Sequence, residues 1–476
     1  MRTYRLILSK LYLSAWARAL ALIVAAPLLW ISAAGAAYVW NSREHDREAV
    51  RAFADDLNPP TPAQRYLIVA PHPDDEVLGC GGLMHYASRV GAGVRVLYMT
   101  NGDAFRFAAE RETRRLRVDP MDYIRLGVMR RREAETALST LGLPPKSFRM
   151  LGFPDGGLEA LFHTNWSEAR RYRSPTTALD AVPVAYEGAT GAPYCGAALL
   201  RLLEDEIRSY APTDILCPHP SDDHRDHSAT GAFVEMALAS LSIRGGLPPN
   251  GCRLRHYIVH RGSWPQPQGP HLADRMAPPS ELIGLHTGWR GLSISKDATE
   301  TKAAAIRAFR SQMAIMSRFL LSFARRNEVF GTPYPYPPAS VSTGAVVQQP
   351  VRDNLVRRFR PQADIKSVRV EQLQGGTLVA VQTERPAGRF TELLLNIRWL
   401  DRSGGAAEGD SLAATITGDR VEADRALDVR QVGDQMHITI PSQSLRAAGF
   451  VVVEAETRMA GVMVDRTGPV AVWFGG

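Results

Sequence analysis

Cysteine is scarce in this chain, with four residues in a total of 476, and no two of them form a CxxC pair. A structural zinc cluster built from cysteines is therefore not indicated. An even number of cysteines in an exported chain permits disulfides, but the spacing demands none, and we expect mostly buried thiols. The four residues are Cys80, Cys195, Cys217 and Cys252.

The sequence also lacks an arginine- or lysine-rich tract interleaved with aromatic residues, which argues against a nucleic-acid partner. Its formal net charge is +7 and its pI is about 9.3. This balance favours anionic surroundings such as phospholipid or an acidic glycan, although a solvated basic surface would give the same number. The composition, 45% hydrophobic and 22% charged, is that of an ordinary globular protein, and the length indicates two or three domains.

The clearest topological signal is an N-terminal stretch without charge. The 22 residues of Ala19–Trp40 would form a helix of about 33 Å, against roughly 30 Å of bilayer hydrocarbon. A basic flank precedes it, which predicts that the N-terminus stays in the cytoplasm. We therefore expect residues 1–41 to anchor a single-pass protein in a bacterial inner membrane, with the rest of the chain on the periplasmic side. The flanking residues are Arg2, Arg5, Lys10 and Arg18.

The same stretch has a second interpretation, a cleaved signal peptide. Ser32–Ala37 consists of residues small enough for a cleavage site. The apolar run continues through Trp40, which favours an anchor over cleavage. Either interpretation exports the protein. Residues 42–64, which close with three prolines, are interpreted as a tether.

Residues 65–330 alternate short apolar runs with helical stretches. Tyr66–Ala70 is a continuous apolar run, as a buried parallel strand requires, and Asp214–Cys217 is another candidate strand. Strands separated by helices predict an α/β domain with a Rossmann-like parallel sheet. Residues 295–329 are predicted to form one long helix whose apolar stripe faces the core.

The C-terminal part of the chain has a different character. Residues 331–361 are rich in proline and are interpreted as a linker. Residues 362–476 contain short alternating runs separated by glycine-rich turns, which predict an all-β, sandwich-like accessory domain. Because proline-rich segments act as spacers, we expect this domain to be a semi-independent module.

The first cluster of chemically active residues directly follows the first predicted strand. Residues 71–76 read PHPDDE and include His72, Asp74 and Asp75. Ligands bind at the carboxyl ends of strands in doubly wound sheets. Burying an imidazole and two carboxylates without a partner would be costly, so a cation is the natural partner. Taken alone, the segment would also suit an ordinary turn.

The second cluster follows the predicted strand Asp214–Cys217. Residues 219–227 read HPSDDHRDH, and three histidines with three aspartates in nine residues are rare as surface decoration. Two such clusters at strand ends converge on one cleft if the sheet is parallel. Two histidines and an aspartate with an open fourth position are typical of catalytic zinc. The sequence therefore predicts a zinc site.

The two motifs together are specific for one protein family. His72-Pro-Asp-Asp-Glu76 with His224-x-Asp-His227 resembles the family of N-acetylglucosaminyl-phosphatidylinositol de-N-acetylases and LmbE-like proteins. The likeness extends over about residues 66–330, and it implies a zinc-dependent enzyme with a Rossmann-like fold. It says nothing about the β domain or the anchor. Supporting features are Thr100-Asn101-Gly102, Arg130-x-x-Glu133, the segment 152–156, and Lys302 with Ser311-Gln312.

The resemblance implies a role for each residue that matches the motifs. The zinc ligands would be His72, Asp75 and His227. Asp74 would be the general base that takes a proton from the zinc-bound water. Three other histidines of this region, His85, His163 and His260, are expected to be packed or surface residues.

Four further roles follow from the same resemblance. His224 would donate a hydrogen bond to the tetrahedral oxyanion or protonate the leaving amine. Asp226 would orient His224 and keep it charged. Arg130 and Asp155 match residues that contact substrate in the family. The alternatives are an exposed helix charge for Arg130 and a turn carboxylate for Asp155.

The implied reaction is hydrolysis of the acetamide of an N-acetylglucosamine-type sugar in a glycan or glycolipid. An amidase of another small amide conjugate would use the same metal machinery, so this alternative stays open. A non-catalytic glycan-binding protein is the alternative from outside the enzymes. The intact motifs argue against it, because a binding module needs neither a paired base nor an open metal position.

Overall fold

The structure, a computed structural model, describes residues 50, 53–285, 288–331, 334–336, 344–350, 355–374, 376–407, 409–441 and 448–474. The predicted membrane segment Ala19–Trp40 lies outside these residues. The anchor, the alternative of signal cleavage and the periplasmic location therefore stay predictions. Within the described part of the chain, no helix combines the length and the apolar character needed to cross a bilayer.

A parallel sheet forms the centre of the N-terminal domain. The first eight strands are β1 Arg65–Ala70, β2 Gly93–Thr100, β3 Phe148–Phe153, β4 Asp214–Pro218, β5 Cys252–Tyr257, β6 Trp289–Ser293, β7 Asn327–Gly331 and β8 Tyr334–Tyr336. The order in the sheet is β3-β2-β1-β4-β5, all parallel, with β8 antiparallel at the edge beside β5. This arrangement confirms the predicted Rossmann-like sheet.

Helices connect these strands and cover the sheet. Their bounds are α1 Asp75–Val90, α2 Arg106–Thr113, α3 Pro120–Thr140, α4 Leu158–His163, α5 Gly196–Tyr210, α6 Arg225–Ile243, α7 Lys296–Ala308 and α8 Arg310–Leu321; a short helix α9, Leu355–Phe359, follows in the C-terminal part. The long helix predicted over residues 295–329 is instead α7 and α8, followed by β7. The break falls at Phe309, which has non-helical dihedrals (φ −77°, ψ 65°) and a fully buried side chain.

The C-terminal part is built of antiparallel strands, as predicted. They are β9 Gly344–Gln348, β10 Ile365–Leu373, β11 Gly376–Thr383, β12 Thr391–Asp401, β13 Ser411–Thr417, β14 Arg420–Ala423, β15 Asp428–Val432, β16 Gln435–Pro441, β17 Ala448–Met459, β18 Val462–Arg466 and β19 Val470–Trp473. One sheet has the order β15-β16-β11-β10-β9. The other has the order β14-β13-β12-β17-β18, with β19 also paired to β17.

The segment predicted as a linker, residues 331–361, contains secondary structure of its own. Its strand β8 extends the parallel sheet, and its strand β9 pairs with β10 of the β domain. The described residues of this segment therefore do not form an unstructured spacer.

The two domains share one hydrophobic core. Leu400, Phe450 and Val452 of the β domain belong to the same buried cluster as Trp166 and Phe233 of the α/β domain. The described residues from 54 onward accordingly form one compact unit. The expectation of a semi-independent module does not hold, because separating the domains would expose this apolar surface to water.

Polar contacts reinforce the same interface. The guanidinium of Arg398 on β12 lies 4.0 Å from the ring centroid of Trp166 and donates a hydrogen bond of 2.6 Å to the carbonyl of Phe162. His163 lies 2.8 Å from Glu454 on β17. These groups are buried or nearly so, and removing one partner would leave the other unpaired in the interface, which costs more than the loss of an exposed ion pair.

We expect Phe450→Ala to destabilise both domains together, by about 3–5 kcal/mol, because it leaves a cavity in the shared core. Thermal unfolding followed by circular dichroism and by calorimetry measures the change. Phe390→Ala is the matched control, since Phe390 is 65% exposed in the same domain. Two separate transitions, of which Phe450→Ala shifts only one, would contradict the shared core.

Candidate active site

The two sequence motifs meet at one edge of the parallel sheet. Residues 71–76 lead from β1 into α1, and residues 219–227 lead from β4 into α6. Because β1 and β4 are parallel neighbours, their carboxyl ends bring both motifs to the same edge. A cleft of about 410 Å³ opens there. Six of the predicted site residues line it: His72, Asp74, Asp75, Arg130, Asp155 and His224.

The three predicted metal ligands meet around one carboxylate oxygen. Oδ2 of Asp75 lies 3.2 Å from Nδ1 of His72 and 3.2 Å from Nε2 of His227. Asp75 is the first residue of α1, and the same oxygen accepts the backbone N–H of His72 at 3.0 Å. All three side chains are buried. The structure therefore brings the three predicted ligands together.

His72 is held through its other ring nitrogen by two carboxylates. Its Nε2 lies 3.1 Å from Oδ1 of Asp155 and 3.4 Å from Oδ2 of Asp226. Asp155 also accepts the backbone N–H of Ala104 at 2.7 Å. It is thus more than a turn carboxylate. A carboxylate on the outer nitrogen of a metal-binding histidine fixes the ring's orientation and tautomer.

His227 is held in the same way by Asp222. Its Nδ1 lies 3.2 Å from Oδ2 of Asp222. That oxygen also accepts the backbone N–H groups of Val259 and His260, each at 3.0 Å. Asp222 therefore links the second motif to the end of β5 and leaves Nε2 of His227 turned toward Asp75.

The carboxylates create a buried place that favours positive charge. Burial works against charge on His227, but Asp222 and Asp75 raise its pKa to about 10. At His72, burial lowers the pKa of the ring, but neighbouring carboxylates, Asp155 foremost, raise it well above the usual range. Burial favours the neutral form of Asp75, yet the neighbouring histidines hold the pKa of that carboxyl well below its usual range.

A zinc ion fits this donor set. Imidazole nitrogens and carboxylate oxygens are its ligands in catalytic sites, which commonly use three protein ligands and keep one position open. Nε2 of His227 is fully buried and makes no hydrogen bond of good geometry within the described residues. Such an atom normally requires a partner, and a cation would supply one.

Other neighbouring groups lie close enough to complicate the choice of ligands. Ligand atoms lie within 4.8 Å of one another in each of three sets: His72, His224 and His227; Asp75, His227 and His260; and His72, Asp155 and Asp226. The assignment of His72, Asp75 and His227 therefore stays a prediction. It is favoured by the outer carboxylates on both of its histidines.

Asp74 lies beside these ligands in a strained backbone conformation. Its φ of 129° is one that L side chains rarely adopt, and such strain concentrates at functional sites. Its N–H donates to Oε2 of Glu76 at 3.0 Å. Burial raises the pKa of Asp74 to about 7, although the charge of Arg130 opposes this. A carboxylate with a pKa near neutrality suits a general base.

Arg130 on α3 is buried and is not an exposed helix charge. Its guanidinium donates to Oδ2 of Asp74 at 3.2 Å, to the carbonyl of Gly102 at 2.9 Å and to the carbonyl of Pro73. These contacts hold Asp74 and the loop before it. The side chain also lines the cleft, so the predicted substrate contact stays open beside this positioning role.

His224 and Asp226 differ from the expected pairing. Nδ1 of His224 accepts the backbone N–H of Asp226 at 3.3 Å, at the N-cap of α6. The carboxylate of Asp226 accepts instead from the N–H groups of Gly156 at 2.7 Å and Leu158 at 3.0 Å. Burial lowers the pKa of His224 to about 4, so the ring is neutral at neutral pH rather than kept charged.

Asp222 has no role predicted from the sequence, and His260 is predicted to be a packed or surface residue. His260 lines the cleft, with its ring centroid 4.8 Å from that of His227 and 5.4 Å from that of Phe319. For both residues, the feature of the sequence that could have indicated a role is their position. Asp222 lies in the second motif, and His260 lies just beyond the carboxyl end of β5, where ligand-binding residues are expected.

We expect Asp222→Asn to weaken zinc binding by about 10- to 100-fold, because the neutral amide fixes the ring of His227 less firmly. Competition with a chromogenic chelator measures the affinity. Asp223→Asn is the matched control, since the neighbouring side chain is 47% exposed and pairs with Arg261 instead. Equal zinc affinity in Asp222→Asn and the wild type would show that Asp222 does not support a ligand.

The comparison with known families agrees with this geometry. Residues 67–238 match the family PIG-L, GlcNAc-PI de-N-acetylase. No curated protein matches the chain. Several solved structures resemble a little over half of the chain, all at low sequence identity.

The conserved protein TT1542 from Thermus thermophilus is 22% identical, with a TM-score of 0.36 over 59% of this chain and 100% of its own. The N,N'-diacetylchitobiose deacetylase from Pyrococcus horikoshii is 20% identical, with a TM-score of 0.37 over 57% and 84%. The 4-carboxy-2-hydroxymuconate hydratase GalB from Pseudomonas putida is 15% identical, with a TM-score of 0.36 over 59% and 98%. The family match covers residues 67–238, contains both motifs and agrees with the resemblance predicted from the sequence.

Proposed function

We propose that the protein is a zinc-dependent N-deacetylase that hydrolyses the acetamide of an N-acetylglucosamine-type sugar in a glycan or glycolipid. One observation carries the proposal. The buried carboxylate of Asp74, held by Arg130, lies at the same cleft as the cluster of His72, Asp75 and His227. The match to a family of sugar de-N-acetylases supports the choice of amide.

Each part of this arrangement has a task in amide hydrolysis. Zinc held by His72, Asp75 and His227 would act as a Lewis acid, which makes water more acidic and the amide carbonyl more electrophilic. The carboxylate of Asp74 accepts the proton of the attacking water and later returns it to the leaving nitrogen. Arg130 holds Asp74 in place for both transfers.

His224 supplies a hydrogen-bond donor. Since its Nδ1 accepts the N–H of Asp226, the proton of the neutral ring resides on Nε2. A neutral N–H donor in a buried cleft stabilises negative charge as it develops on the carbonyl oxygen. This favours the oxyanion role over protonation of the amine, because a ring with a pKa of about 4 carries no extra proton at neutral pH.

The walls of the cleft suit a sugar that carries a small acyl group. Phe105, Met316 and Phe319 provide apolar surface, whereas Gln312 and Asp155 add polar groups near them. Ligand sites commonly combine a mostly apolar wall with a few placed polar groups.

We expect Asp74→Asn to retain zinc but to lose at least about 100-fold in turnover, as removal of a general base does. Acetate release is measured on a panel of N-acetylated sugars, glycans and glycolipids, and amine release on a set of other small amide conjugates, together with zinc content by elemental analysis. The Asp223→Asn protein serves again as the control.

Three outcomes separate the alternatives. Acetate release that a chelator abolishes and zinc restores supports the deacetylase. Activity confined to other amide conjugates would replace it with an amidase. Glycan binding without turnover of any panel member would contradict the assignment as an enzyme. Separately, wild-type turnover in Asp74→Asn would show that Asp74 is not the general base.

A further inference from the structure

The rim of the cleft is formed on one side by a short basic segment. Residues 105–118 comprise the end of a loop, helix α2 and the turn that follows it. Phe105 lines the cleft, and its ring centroid lies 6.1 Å from that of Phe107. Helix α2 also packs against α8, which carries Met316 and Phe319 of the cleft lining. The segment therefore borders the entrance of the active site.

Large apolar side chains of this segment face the solvent. Phe107 is 63% exposed and Leu116 is 89% exposed, and Met121 just beyond them is 51% exposed. The opposite face of α2 packs into a small core of its own through Ala108 and Ala109. A single exposed apolar residue needs no explanation, but several in one short segment at a cleft entrance are typical of an interaction site.

The charge of the segment identifies the kind of partner. Residues 105–118 contain five arginines against two glutamates, an excess of three positive charges. Arg106 pairs with Glu110 at 2.6 Å, and Arg115 lies 4.0 Å from Asp119. Three arginines are exposed and make no ion pair within the described residues: Arg111, Arg114 and Arg117.

We propose that residues 105–118 dock the protein on the surface of an anionic bilayer. Phe107 and Leu116 enter the interfacial region, and the three unpaired arginines contact lipid phosphates. Exposed apolar side chains combined with arginines are the composition of interfacial membrane-binding segments. Clustered arginines add electrostatic attraction to anionic lipid within about a Debye length of the surface.

This docking turns the entrance of the cleft toward the membrane. An N-acetylated group presented at the bilayer surface would then reach the cleft without leaving that surface, because the rings of Phe105 in the cleft and Phe107 in the docking segment are neighbours. The proposal concerns binding to lipid, and it stands or fails independently of which amide the enzyme hydrolyses.

A fluorescent probe on the docking segment tests the proposal in the full chain. The four native cysteines are buried, so a cysteine introduced at the surface reacts selectively with an NBD maleimide. Phe107→Cys carries the probe, and Val432→Cys, at a position 52% exposed in the β domain, is the matched control. Both proteins are incubated with preformed vesicles of phosphatidylcholine alone or mixed with phosphatidylglycerol.

We expect the NBD emission at position 107 to shift to the blue and to brighten with phosphatidylglycerol vesicles only, with a smaller shift at high salt. The shift should be lost when Arg111, Arg114 and Arg117 are all changed to Gln. It should persist when three β-domain arginines, Arg385, Arg389 and Arg402, are changed to Gln instead. Equal emission in both kinds of vesicle, or an equal shift at position 432, would overturn the proposal.

Discussion

The site depends on the contact of one carboxylate oxygen with two imidazoles. Oδ2 of Asp75 faces ring nitrogens of His72 and His227, which come from sequence positions more than 150 residues apart. The two motifs meet because β1 and β4 are parallel neighbours whose carboxyl ends lie at the same edge, so the sheet order is a condition of the chemistry. The outer carboxylates Asp155 and Asp222 then fix each ring and make the centre attractive to a cation.

The β domain stabilises the position of the second motif, which carries His227. Arg225 is the first residue of α6 and stands between His224 and Asp226 in the second motif. Its guanidinium donates to both oxygens of Glu159, at 2.6 and 2.7 Å, and to Glu456 of β17 at 2.9 Å. The start of the helix that carries His227 is therefore tied to the β domain as well as to α4. The shared core and this ion network give the C-terminal strands a structural part in the site.

Much of the fold and the centre of the site could be predicted from the sequence. Runs such as residues 66–70 indicate buried parallel strands, and two dense His/Asp motifs after such strands indicate one metal site. The contacts of Arg130 and Asp226 could not be predicted, because they depend on which backbone groups of distant loops their side chains meet. The break at Phe309 could not be predicted either. A continuous apolar stripe is compatible with one long helix and with two consecutive helices. The shared core escaped prediction because strand patterns show which face is buried, but not against which domain.

We infer that His72, Asp75 and His227, rather than the nearby His224 or His260, hold the metal. Anomalous diffraction at the zinc edge, from crystals of the zinc-loaded protein, distinguishes these ligand sets. We expect a single peak at about 2.0–2.2 Å from Nδ1 of His72, an oxygen of Asp75 and Nε2 of His227. A peak bound by His224 or His260 in place of one of these ligands, or no peak in the cleft, would contradict it.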